Sequence, residues 1–261
     1  MDYQIHEEGK FKYIESKGGA QNLLLLHGLF GALSNFAGII DHFKGKYNVI
    51  IPILPIFDLP PKEVSLESLV EHINDFINYK GYEKVHLMGN SLGGHVGLIY
   101  TLKYQDRVAS LTLTGSSGLY EHSIGNSVPP RANYEFVKSK TEATFYDPKV
   151  ATKALVDEVY DIVNTREKTL AVIYAARSAI KHNVEKRLHE IKVPTLLVWG
   201  NEDTITPAFV GEKFHNLIAD SKLIFMDECG HAAMMEHPHD FNRHLEEFLE
   251  SVKMAKGQES E

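Results

Sequence analysis

The segment Gly89-Asn90-Ser91-Leu92-Gly93 sets a hydroxyl between two glycines in G-x-S-x-G spacing, after the strand-like run Val85 to Met88 and before Leu92 to Tyr104, which has helical periodicity. A sharp strand-to-helix turn strains the backbone at the serine and brings neighbouring segments too close for side chains on either side, hence the glycines. The hydroxyl then projects outward at a helix N-terminus, beside unpaired amides and the positive end of the helix dipole. That setting suits a reaction that develops an oxyanion. A serine is a poor nucleophile until a base takes its proton, so this chemistry needs a histidine held by a carboxylate. Asp203, in Trp199-Gly200-Asn201-Glu202-Asp203, and His231, in Cys229-Gly230-His231, each follow a further strand-like run, in the order Ser, Asp, His. The run Asp203 to Pro207 also reads as a plain helix start, and Glu202 and Asp227 rank below Asp203 as the acid. Of the fourteen histidines, His231 stands out through its glycine-preceded place after the last strand.

A second set of donors is expected from the loop after an earlier strand, and Leu26-His27-Gly28-Leu29-Phe30-Gly31 follows the run Leu23 to Leu26. The backbone amides of Leu29 and Leu92 are the expected oxyanion-hole donors. Gly28 and Gly31 let the loop approach a substrate, while His27 holds the loop by a hydrogen bond rather than moving protons; in isolation a simple glycine turn reads nearly as well. His237 and His239 flank Pro238 and belong to the start of the final helix. No H-E-x-x-H or comparable ligand spacing exists, and Cys229 is the only cysteine, so neither a metal site nor a disulfide framework is expected.

Strand-like runs at Leu23 to Leu26, Asn48 to Ile51, Val85 to Met88, Leu111 to Thr114, Thr195 to Trp199 and Leu223 to Met226 position these residues. They alternate with helical patterns at Leu66 to Tyr79, Leu92 to Tyr104 and Asp240 to Met254, which predicts an α/β chain with a largely parallel sheet covered on both faces. An antiparallel hairpin, Tyr3 to His6 and Lys10 to Ile14 joined at Glu8-Gly9, is expected on one edge. The alternation stops between Ser116 and Arg187, where helical patterns at Pro148 to Ile162 and Glu167 to Ile180 follow Pro129-Pro130. The organisation read from this is a core of residues 1–115 and 188–261 with a helical cap, 116–187, inserted after the sixth strand. The tail from Lys253 is expected to fray.

The 261 residues are 43% hydrophobic and 24% charged, the composition of an ordinary soluble protein. Lys+Arg 27 against Asp+Glu 35 gives a net charge of −8, which argues against a surface built for nucleic-acid phosphates or anionic membranes. The partner expected is a small-molecule substrate. No apolar stretch is long enough to span a bilayer and no export signal is visible, so the expected location is the cytoplasm. Nothing in the chain assigns an oligomeric state.

The chain resembles the α/β-hydrolase superfamily through HGLFG at 27–31, GNSLGG at 89–94, WGNEDTITP at 199–207 and GHAAMMEHP at 230–238, four motifs in order over most of its length. The resemblance implies an eight-stranded, mostly parallel sheet flanked by helices, a helical cap over the active site and no cofactor. Within the superfamily, Asn90 and the segments CGHAAMMEHPHDFN and RLHEIKVPTLLVWG are similar to carbon-carbon bond hydrolases that cleave ring-fission products of aromatic degradation. Those enzymes commonly carry methionine where Leu92 stands and tryptophan where Ala232 stands, and they hold the substrate carboxylate with a cap arginine, a role for which Arg166 or Arg177 is the candidate. The chain departs from the superfamily after Asn48 to Ile51, where PILPIFDLPP replaces an Asp with closely spaced glycines. Pro52, Pro55, Pro60 and Pro61 should stiffen a segment that passes near the active site and leave the pocket narrower or differently lined, with Phe57 as a wall or as core. A serine at the elbow speaks against haloalkane dehalogenase or epoxide hydrolase activity, in which resembling families place an aspartate.

The leading expectation is a serine hydrolase for a small or medium carboxylic ester, with Ser91, Asp203 and His231 catalytic and an acyl-enzyme intermediate. The alternative is carbon-carbon cleavage of a meta-cleavage dienoate by the same residues, with His27, Gly28, Asn90, Phe57, Arg166 and Arg177 as pocket candidates. A non-catalytic small-molecule receptor on the same fold is the alternative of another class.

Overall fold

The computed structural model describes residues 4–30, 33–121 and 133–258. An antiparallel pair, β1 (His6–Glu8) and β2 (Phe11–Ser16), leads into β3 (Asn22–Leu26), helix α1 (Ala37–Phe43), β4 (Asn48–Pro52), α2 (Leu66–Tyr79), β5 (Val85–Asn90), α3 (Leu92–Lys103) and β6 (Val108–Thr114). Three helices follow, α4 (Tyr134–Glu142), α5 (Lys153–Asn164) and α6 (Arg166–Lys181), then β7 (Thr195–Gly200), α7 (Ala208–Leu217), β8 (Ser221–Met226), α8 (Ala233–Glu236) and α9 (Pro238–Gln258). The strands form one eight-stranded sheet in the order β1-β2-β4-β3-β5-β6-β7-β8, parallel from β4 onward.

Strands β3 to β7 are buried on both faces, as a sheet covered on both sides requires, although β6 turns Ser110, Thr112 and Thr114 to one of them. Leu24, Leu26, Leu87, Leu111, Leu113, Leu197 and Trp199 pack with α2, α3 and α7. Their alternates, including Leu23, Leu25, Met88, Leu196 and Val198, pack with α1, α8 and α9. Register brings the strand ends that matter level with one another: Leu26 pairs with Gly89, Asn90 with Thr114, Thr114 with Val198 and Gly200 with Met226. The loops that leave β3, β5, β6, β7 and β8 therefore gather at one edge, where ligands bind in parallel α/β sheets. Helix α2 begins at Ser65, whose side chain accepts from Ser68 N while Ser68 returns the bond to the Ser65 amide.

The edge hairpin sits later than the sequence indicates. Glu8 pairs with Phe11 around Gly9-Lys10, with Gly9 in the left-handed region at φ 61°. That glycine opens the two-residue turn, so the join falls one residue beyond Glu8-Gly9; Tyr3 lies outside the described residues. At the other end α9 continues to Gln258, past the Lys253 at which fraying was expected. The segment Lys253-Met254-Ala255-Lys256 consists of strong helix formers, which outweigh its low apolar content.

Between β6 and β7 the described residues hold α4 to α6 and no strand. Helix α4 was not anticipated from the sequence, and Pro129-Pro130 lies outside the described residues. Helix α6 is joined to the sheet side of the molecule: Ala171, Ala175 and Ala179 pack in the same cluster as Leu66 and Leu69, and the Ser178 hydroxyl accepts from Leu66 N at 2.9 Å. Among the described residues, no helix is long and apolar enough to cross a membrane.

Candidate active site

At the junction of β5 and α3, Ser91 adopts φ 54° and ψ −121°, a region that a residue with a β-carbon enters only under strain. Its amide donates to Thr114 O at 3.2 Å and its carbonyl accepts from Ser117 N at 3.2 Å, so β6 and its exit loop hold the turn from both sides. Close approach fixes the glycines as well: a β-carbon at Gly93 would stand 2.0 Å from the carbonyl oxygen of Leu26.

Asp203 and His231 meet beyond the ends of β7 and β8, with His231 Nδ1 2.9 Å from Asp203 Oδ2. The Asp203 side chain is fully buried in a cage of donors. Oδ1 accepts from Ile205 N at 2.8 Å and Thr206 N at 2.9 Å, and Oδ2 accepts from the Thr206 hydroxyl at 2.8 Å. Burial alone would raise its pKa, but the His231 charge, the His231 hydrogen bond and the Thr206 donors together hold it below the ordinary value. A carboxylate on Nδ1 makes that nitrogen the donor and leaves the Nε2 lone pair free to accept a proton. The competing acids are engaged elsewhere: Glu202 Oε2 accepts from Cys229 N at 2.9 Å, and Asp227 Oδ1 from the Asn201 side chain at 2.5 Å.

Asn90 links the serine to the histidine. It is buried, and its side-chain amide donates to Thr114 O at 3.0 Å and to His231 O at 3.2 Å, so its two N–H groups brace the two loops. His231 N donates to Thr144 O at 2.9 Å.

The loop after β3 lies beside the elbow, since a β-carbon at Gly28 would be 3.3 Å from Ser91 Cβ. Leu54 N donates to His27 Nε2 at 3.0 Å, which leaves Nδ1 as the donor to Gly28 O at 2.9 Å. Burial lowers the His27 pKa and keeps the ring neutral. Both ring nitrogens are engaged with backbone. Leu29, the next residue, is half-buried against the core and Leu92 is buried. Phe57 is 39% exposed, which excludes it from the core, and Arg166 and Arg177 are exposed on α6. Among the described residues, no group of three or more His, Cys, Asp or Glu is placed to hold a metal ion.

Two polar residues of this region went unremarked in the sequence. Thr206 falls inside the run that reads as a helix start; Asp at that place signals a turn through its bond to Ile205 N, but nothing local marks the Thr206 hydroxyl as a donor to Oδ2. Ser117, whose hydroxyl lies 3.3 Å from Ser91 O and 3.4 Å from His95 Nδ1, has no local signal at all.

A family model described as the α/β hydrolase fold matches residues 21–147 and 175–238. The chain belongs to the α/β-hydrolase family. A 2-hydroxy-6-oxo-6-(2'-aminophenyl)hexa-2,4-dienoic acid hydrolase of Metapseudomonas resinovorans is 31% identical over 254 residues, covering 91% of this chain and 87% of the relative. Lipase 1 of Psychrobacter immobilis is 27% identical over 246 residues, covering 87% of this chain and 76% of the lipase. Among solved structures, the α/β hydrolase enzyme MGS-MChE2, from the metagenome of sediments of the lagoon of Mar Chica, Morocco, is 39% identical with a TM-score of 0.79, covering 96% of this chain and 99% of its own. This α/β hydrolase is thus an enzyme whose named relatives include both lipases and meta-cleavage hydrolases.

Proposed function

We propose that this α/β hydrolase cleaves small or medium carboxylic esters through an acyl-enzyme. Ser91 Oγ attacks the ester carbonyl carbon while its proton passes to His231 Nε2, and Asp203 holds the imidazole and stabilises the imidazolium that forms. The amides of Leu29 and Leu92 receive the oxyanion. Collapse breaks the bond to the alkoxy oxygen, which leaves with the proton from His231. Water then repeats the sequence on the acyl-enzyme and regenerates Ser91. The observation that carries this reading is the buried Asp203 carboxylate on His231 Nδ1, on a loop whose His231 carbonyl is bonded by Asn90, the residue before the strained Ser91.

The similarity to the dienoate hydrolase favours a second reading, carbon-carbon cleavage by the same three residues. That reaction needs a cation for the substrate carboxylate, and the two cap arginines named for it are solvent-exposed.

Intact-mass analysis after incubation with a fluorophosphonate tests the nucleophile. The parent should gain one adduct that is absent in Ser91→Ala and His231→Ala; a folded parent that gains none overturns the proposal. Turnover of short p-nitrophenyl esters against a ring-fission dienoate then separates the two readings, and an anchoring arginine would make only dienoate turnover collapse in Arg166→Ala or Arg177→Ala.

A further inference from the structure

The turn that ends α4 rests on the loop that carries His231. Besides the bond from His231 N to Thr144 O, the Thr204 hydroxyl donates to Ala143 O at 3.3 Å. The Gly230 backbone lies directly on this turn, since a β-carbon there would stand 2.7 Å from Thr144 O. Phe145, partly buried, packs into the cluster that contains Met226, Ala232 and Met234.

One side chain joins the two segments. Glu236, at the end of α8, accepts from Gly230 N at 2.8 Å through Oε1 and from Tyr146 N at 2.7 Å through Oε2. Each oxygen is committed to a different piece of backbone, one next to His231 and one in the turn after α4. Glu236 is partly buried, and neither Lys nor Arg pairs with it among the described residues. A carboxylate so placed gives no long-range charge pairing; what it supplies is two acceptors at a fixed spacing.

We propose that Glu236 is a positioning residue for His231, clipping the histidine loop to the turn at 143–147 so that the seating of the α4 segment sets the place of the catalytic base. This rests on the reading of His231 as general base given above. The His231 main chain is then held at both ends, by Asn90 on its carbonyl and Thr144 on its amide, and Glu236 holds the residue before it. Small displacements of a base from its partners are costly, on the order of 10² in rate for about 1 Å.

Glu236→Gln keeps the size but has a single acceptor oxygen, so one of the two backbone amides faces an NH₂ group. Glu236→Ala removes both acceptors. The experiment measures kcat per titrated active site, KM for a short p-nitrophenyl ester, and the fluorophosphonate labelling rate for the parent, both variants and the exposed control Glu247→Gln. Expected are an approximately tenfold fall in per-site kcat and labelling rate for Gln and about 10² for Ala, with KM within twofold and the control unchanged. Parental per-site kcat in folded Glu236→Gln, with only a lower melting temperature or fewer active sites, overturns the proposal, because that is what a purely structural residue does. A rise in KM that accounts for the loss overturns it too, by making Glu236 a substrate-binding group. A parent that fails to label at Ser91 instead refutes the serine mechanism itself.

Discussion

Replacing Asp203 by Asn tests the acid through a tautomer rather than through a missing contact. Oδ1 of Asp203 accepts from two backbone amides, Ile205 N and Thr206 N, so the Asn carbonyl must occupy that place; the reverse orientation would set an NH₂ against two N–H donors. The amide nitrogen then takes the position of Oδ2, 2.8 Å from the Thr206 hydroxyl and 2.9 Å from His231 Nδ1. Thr206 can turn its hydroxyl to accept, but His231 must present a lone pair at Nδ1 and carry its proton on Nε2. An imidazole in that form cannot take the proton of Ser91. The expected loss is about 10⁴-fold in kcat, or about 5.4 kcal/mol at 1.36 kcal/mol per tenfold. KM should stay within a few-fold, because the Asp203 side chain is fully buried and touches no substrate. The fold should survive, since the cage keeps its hydrogen bonds. Above the ordinary value of 3.8 the depressed carboxylate adds stability that is lost as pH falls through its lower folded value, so the Asn variant should also flatten the acid limb of the stability curve. Active-site-titrated kcat on a p-nitrophenyl ester, with circular dichroism as the folding control, decides the matter. A folded variant within tenfold of the parental kcat would refute the assignment of Asp203.

The strain at Ser91 predicts that Ser91→Gly is more stable than Ser91→Ala, by about 1–2 kcal/mol, since only glycine enters φ 54° and ψ −121° freely. For a chain of this size that is a rise of roughly 2–4 °C in melting temperature per kcal/mol, and equal melting temperatures for the two inactive variants would remove the strain argument. Glu121 supplies a pH prediction: burial pushes its carboxyl up to about 7 against a hydrogen bond from Gly118 N, and among the described residues Oε2 is buried without a hydrogen-bond partner. The folded chain therefore holds a proton that the unfolded chain releases, and stability falls as pH rises from 4.5 to about 7. At about 1.36 kcal/mol per pH unit the fall is about 3 kcal/mol at most. Glu121→Gln should abolish that part of the slope in urea unfolding between pH 5 and pH 8, and parallel slopes for parent and variant would contradict it.

The sheet was legible because its central strands are buried on both faces and read as short apolar runs: Leu23 to Leu26 and Thr195 to Trp199 each fall within the observed strand. The elbow was legible for a stronger reason. Serine at φ 54° between glycines breaks local preference, and a local rule is broken where the surrounding fold can sustain the strain. Asp203 and His231 followed from position after a strand rather than from any motif strength of their own. What stayed hidden depends on pairings distant in the chain. Asn90 and His231 are separated by 141 positions and Tyr146 and Glu236 by 90, and no periodicity within either segment indicates that an amide of one meets an acceptor of the other. The hairpin slipped by one residue for the opposite reason: several turns fit Glu8-Gly9-Lys10 locally, and pairing with the rest of the sheet selects among them.

The proline-rich loop after β4 shows how a departure from family pattern changes meaning once its contacts are known. Read as sequence, Pro52-Ile53-Leu54-Pro55 is a stiff replacement for an Asp and glycines, with consequences for the width of the pocket. Only two of its four residues carry a backbone N–H, and both are committed: Ile53 N donates to Lys12 O at 2.8 Å and Leu54 N to His27 Nε2 at 3.0 Å. The first bond fixes the loop to β2, and the second fixes the tautomer of His27, whose other nitrogen then holds Gly28 O. Stiffness at residues 52–55 is thereby passed through one neutral imidazole to the residue before Leu29, whose amide is the proposed oxyanion donor. A flexible loop at this place would leave His27 free to change tautomer and would loosen that donor. The prolines would therefore bear on the proposed oxyanion geometry through backbone contacts, without any of their side chains having to meet a substrate.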